Sequence, residues 1–149
     1  MEDTRLPLSF RVLHWALALF VILNFFFLEG GGLPHRMIGY AAFAAVLSRL
    51  AIQKKRPSHY NPKAVIVYGL IWLSVILQAA TGFLMSLDRF WGNQTLQDTH
   101  ELTANTIMLL VILHLVGVFW DAFREKRKTW MIMINGEKYA RGQNRVQTK

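Results

Sequence analysis

The chain has 149 residues, about one domain's worth, and 53% of them are hydrophobic. Its 17 Lys and Arg against 9 Asp and Glu give a net charge of +8, and it contains no cysteine. Disulfides, thiolate zinc sites, Cys-ligated iron–sulfur clusters and covalent haem attachment through C-x-x-C-H are therefore excluded. Long apolar runs beside the basic residues argue against nucleic-acid binding and for an integral membrane protein with cationic loops.

The first element covers residues 9–28. "VLHWALALFVILNFFFLEGGG" follows Arg5 and Arg11 as a signal peptide would, yet it lacks a small-x-small cleavage site. Its apolar run also exceeds the roughly 7–15 residues of a signal h-region, so it reads as a retained first span. "EGGGLP" marks a turn. A second span, 35–53, carries His35, Gly39 and Arg49 and is the shortest and most polar of the set. "QKKRPSHYNPK" is then a basic loop with two prolines, in which His59 is a solvated loop residue.

Residues 64–87 form a third span without histidine, expected to be a wall of the bundle in which Gln78 and Thr81 are better explained by interhelical hydrogen bonds than by contact with a haem or quinone. After the polar "DRFWGNQ", the fourth span covers 96–123. It opens polar ("TLQDTHELTANT"), as an interfacial helix would, and carries both His100 and His114. Residues 1–123 thus make a four-span, all-α membrane bundle, and 124–149 a basic tail. In that tail Trp130, Met131 and Ile132 are expected to dip into the leaflet, ahead of a polar, disordered end.

Four spans put both termini and the middle loop on one side. That side holds Arg5, Arg11, Lys54, Lys55, Arg56, Lys63, Arg124, Lys126, Arg127 and Lys128. The other side has only Arg36 and Arg89, among Glu29, Asp88, Asp98 and Glu101. The asymmetry predicts that both termini lie in the cytoplasm.

His100 and His114 are 14 residues apart, about 1400° of helix, so they face nearly the same way about 21 Å apart. They cannot share one metal ion. His14 lies at the depth of His114 and His35 at the depth of His100, which gives an inner and an outer pair. Two facing imidazoles with no thiolate or carboxylate beside them suit bis-histidine haem iron, whereas zinc wants four ligands. A histidine at a helix end also serves as an interhelical hydrogen-bonding residue, and the paired register is what favours ligation.

Arg49 repeats the same interval from His35, at the depth of the inner pair. A haem propionate there would meet its fork, with snorkelling to the interface the alternative. Gly39, one turn after His35, removes a side chain where a flat macrocycle approaches, or simply permits close helix packing. Arg11 is a weaker propionate candidate, better explained by contact with lipid headgroups.

"RVLHW", "HRMIGY" with its later Arg49, "HELTAN…HLVG" and "MIMINGEKY" together resemble the bacterial di-haem b-type cytochromes. That family includes cytochrome b-561 and the cytochrome b subunits of nickel–iron hydrogenases, and the likeness spans residues 9–139. The resemblance implies two haems b, with His14 and His114 ligating the cytoplasmic-side iron and His35 and His100 the periplasmic-side one. It also implies electron transfer between a quinone pool and a periplasmic partner, such as a cytochrome c or a dehydrogenase subunit. The alternatives are a membrane anchor of a dehydrogenase or hydrogenase, a superoxide-oxidising quinone reductase and, last, a non-redox scaffold. A quinone site is not placed, the basic residues Lys54 and Lys55 near Arg49 being better explained by lipid headgroups.

Overall fold

The protein is represented by a computed structural model that describes residues 6–52, 62–124 and 129–136. The expectations for His59, Lys54, Lys55 and the polar end of the tail fall outside those residues. Among the described residues every regular element is helical: α1 (Leu8–Phe26), α2 (Leu33–Ile52), α3 (Pro62–Met85), α4 (Gln94–Arg124) and the short α5 (Ile132–Asn135). A 3₁₀ turn at Asp88–Phe90 precedes α4, and another at Thr129–Met131 precedes α5.

Local chemistry explains the breaks. α1 stops where the Phe27 and Leu28 N–H groups both return to the Leu23 carbonyl. The chain then reverses through Gly30–Gly32, with Gly31 at φ +78°, a region open mainly to glycine. Pro34 sits in the first turn of α2, where its missing N–H costs nothing. At the other turn Gly92 takes φ +75° and Asn93 caps α4, its Oδ1 accepting the Leu96 N–H at 3.0 Å. α4 therefore begins in its polar stretch and runs unbroken for 31 residues, about 46 Å against a hydrocarbon core of about 30 Å.

Among the described residues three helices are long and apolar enough to cross a membrane: α1, α3 and α4. α2, at 20 residues, has the length but not the apolarity, because His35, Arg36, Ser48 and Arg49 fall within it. Large apolar side chains face outward on all four, among them Leu19, Met37, Leu73 and Phe119. In water that much apolar surface would aggregate; against lipid tails it is solvated. The chain is a multi-pass membrane protein.

α1 packs on α2, α2 on α3 and α3 on α4, while α4 has little direct packing on α1 or α2. The buried centre is Ala42, Val46, Val75 and Ile107, with Phe20, Val21 and Trp72 against it. This core lies midway along the bundle. Ile107 is seven residues from both His100 and His114, and Val21 and Ala42 are seven beyond His14 and His35. Seven residues turn about 700°, close to two turns, so histidines and core share one inward face on each helix.

Candidate functional site

Two levels of the bundle each bring two histidines together. His35, at the start of α2, meets His100, near the start of α4, with ring centroids 6.2 Å apart and planes at 61°. At the opposite end His14 of α1 meets His114 of α4, again at 6.2 Å and 61°. Edge contacts between aromatic rings also fall in this range. What separates these pairs from such contacts is that each joins α4 to a helix on which it hardly packs.

The spacing passes a fit test. Metal–imidazole bonds of about 2.0–2.1 Å to one nitrogen of each ring place the centroids about 6.3 Å apart. Among the described residues no three of His, Cys, Asp and Glu gather at one point, so each level offers two ligands where zinc wants four. An axially ligated porphyrin iron takes two, its other bonds going to the macrocycle.

The His35/His100 level opens into a cavity of about 600 Å³, lined by both histidines with Asn24, Gly39, Gln78 and Gly82. Cofactor pockets run roughly 300–1,000 Å³. Three side-chain atoms in its lining, Asn24 Oδ1, His35 Nδ1 and Gln78 Oε1, are buried without a hydrogen-bond partner. Buried polar atoms are rarely left so, and three around one cavity mark a place built for a ligand.

α3 contributes no histidine yet holds His100. The Thr81 hydroxyl lies 2.9 Å from the Leu77 carbonyl and 3.1 Å from that of Gln78, to which it donates. Its oxygen lies 2.8 Å from His100 Nδ1 and so accepts the proton there. Nε2 is then the nitrogen with the lone pair; here it accepts from the Gln78 amide at 2.9 Å, and a metal bound to that lone pair would take the place of Gln78. A Cβ on Gly82 would come within 3.3 Å of His100 Cε1, so the absent side chain is what lets α3 lie this close. The expected interhelical bonding of Gln78 and Thr81 therefore has a specific target, while Asn24 and Gly82 were not singled out by sequence. An asparagine and a glycine inside apolar runs were the only signals.

At the other level Trp15 sets its ring against His14 at 5.6 Å, and Tyr68 of α3 meets His114 at 5.5 Å. Arg49 donates to the Phe10 carbonyl, one turn before His14, and lies 4.5 Å over the Phe10 ring. Arg11 donates to the Ile134 carbonyl in α5. Gly39 lines the cavity, and a Cβ on it would stand 3.3 Å from Asn24 Nδ2, so its missing side chain permits the close approach of α1 and α2 here.

A helical membrane bundle with inward histidine pairs at two depths belongs to the class of membrane haem proteins. A family model described as prokaryotic cytochrome b561 matches residues 5–136, and the chain belongs to that family. Membership carries b-type haem binding and haem-based electron transfer across the membrane. No curated protein and no solved structure matches the chain.

Proposed function

We propose that the chain is a di-haem electron carrier, in which His14 and His114 would hold the iron of one haem and His35 and His100 that of the other. A bound haem b supplies a one-electron iron couple. The chain's own residues fix the two imidazoles, exclude water and set the local field. Gly39 and Gly82 clear the faces of the cavity, Thr81 fixes the His100 tautomer, and Arg49 supplies positive charge at the His14 level. The core around Val46 and Ile107 keeps the two levels apart in a dry, low-dielectric medium. α2 is read as a fourth span, its cations turned to the bundle interior and the membrane surface.

The charge asymmetry supports cytoplasmic termini, and with them a bacterial inner membrane in which the His35/His100 level faces the periplasm. Electrons then pass between the quinone pool and a periplasmic redox partner such as a cytochrome c. The observation that carries this reading is the recurrence of one pair geometry, 6.2 Å and 61°, at both levels.

A reduced-minus-oxidised spectrum and haem quantification of the purified chain test it. The expected result is a b-type α-band and two haems per chain. A preparation without the band, made with ample haem supply, would end the redox assignment.

A further inference from the structure

The last described residues fold back on the start of α1. The Leu6 N–H donates to the Gly136 carbonyl at 2.6 Å, Arg11 donates to the Ile134 carbonyl, and the Trp15 indole N–H donates to that of Met133 at 2.9 Å. α5 is four residues long, so its final carbonyls have no partner within the helix. A cation at a helix C-terminus is also electrostatically favoured. Arg11 and Trp15 stand one turn apart on one face of α1 and satisfy two of those carbonyls from outside.

Gly136 closes the arrangement. It takes φ +80°, and a Cβ there would lie 3.1 Å from the Leu6 carbonyl oxygen and 3.3 Å from Arg11 Cζ. Any other residue would meet both strain and a clash. On its other side the Thr129–Met131 turn packs on α4. The segment thus touches α1 and α4, the two helices that carry His14 and His114 and that otherwise pack little on one another. The Trp15 ring that bonds the segment also touches the His14 ring, with planes at 78°.

We propose that residues 129–136 form a strap that ties α1 to α4 and sets the separation of His14 and His114. Arg11, Trp15 and Gly136 are the positioning residues. The consequence for haem rests on the function proposed above; the docking itself does not.

The test uses the full chain in mild detergent. With no native cysteine, Leu8→Cys together with Ile134→Cys takes gadolinium spin labels at two sites, both exposed (65% and 53%). The label–label distance is measured in this parent and after adding Gly136→Val or, as a milder change, Trp15→Phe. Haem content and the potential of each haem are measured alongside.

The parent is expected to give one narrow distance. Gly136→Val should broaden it and reduce haem from two toward one per chain, the survivor being the haem that a further His100→Ala removes. Trp15→Phe should shift the potential of the His14/His114 haem alone. An unchanged distance in Gly136→Val would refute the docking. A broadened distance with both haems and both potentials unaltered would refute the positioning role. A colourless parent would overturn the haem reading, while the label distances would still decide whether the strap exists.

Discussion

The two histidine levels share one geometry and differ in what enforces it. At His35/His100 the support is the rigid interior of α3: a hydroxyl on Nδ1 of His100 and a glycine under its ring. At His14/His114 the ring edges of Trp15 and Tyr68 meet the histidines, and the fixing comes from segments distant in sequence, through Arg49 of α2 on Phe10 and the strap on Arg11. One level is held by directional bonds within a helix pair, the other by a clasp between distant segments. The first should tolerate changes of volume poorly and disturbance of the termini well; the second should do the reverse.

Removing a ligand tests the comparison most severely. His100→Ala should leave one haem per chain, and so should His14→Ala, each sparing the opposite level. Pyridine haemochrome analysis against protein concentration reads the ratio. Loss of neither haem in both variants would refute the pairing. Gly82→Val comes next: its side chain enters space within van der Waals reach of His100 Cε1, and orienting residues around a metal ligand are worth about 10–100-fold in affinity. Haem loss at that level, with the other retained, is the expected outcome. Equal loss at both levels would mean that the two supports are not independent.

How much of this could be read from residue order alone follows from the range of each signal. The histidine pairs were legible because helical register is local: 14 residues return to one face whatever the helix packs against. The turns were equally legible from "EGGGLP" and "DRFWGNQ". α2 is the marginal span, as its sequence suggested: His35 and Arg49, the residues that point to a site in it, are also the ones that make it polar. The Thr81–His100 bond was only half visible. A threonine in a membrane helix commonly bonds its own backbone, as Thr81 does to Leu77, and nothing local says that its oxygen also faces an imidazole on the next helix. The strap was invisible for a similar reason. Arg11 and Ile134 are joined only when the bundle closes, and beforehand Arg11 looks like any interfacial cation.

Arg49 probes the clasped level more gently than ligand loss does. Arg49→Gln removes a cation near His14, and positive charge favours the reduced, less positive iron. The potential of the haem at that level should therefore fall and the other stay put. A unit charge about 10 Å away at an effective dielectric of about 20 is worth roughly 1.7 kcal/mol before screening, which bounds the shift near 70 mV. The same variant loses a charge-assisted bond to the Phe10 carbonyl, worth about 1.5–3 kcal/mol, so its melting temperature in detergent should drop as well. Arg49→Lys keeps the charge and loses the fork, which separates the two effects: the potential should be largely restored.

Thr81→Val is the smallest change and addresses the bonded level with the opposite sign. Valine keeps the shape of threonine and removes the one oxygen that accepts from His100 Nδ1. An imidazole whose N–H is hydrogen-bonded is the more basic ligand and favours ferric over ferrous iron. Without that bond the potential at this level should rise, by less than the roughly 59 mV that a tenfold change in relative affinity represents for one electron. Thr81→Ser restores the oxygen and should restore the potential, a recovery that a purely packing role for the residue would not produce. If Thr81→Val moved the potential at the His14/His114 level instead, or moved neither, the assignment of α3 as the support of His100 would fail. Together with Arg49→Gln, the pair of variants pulls the two haems in opposite directions by different physical means, a widened or narrowed gap that one potentiometric titration can read.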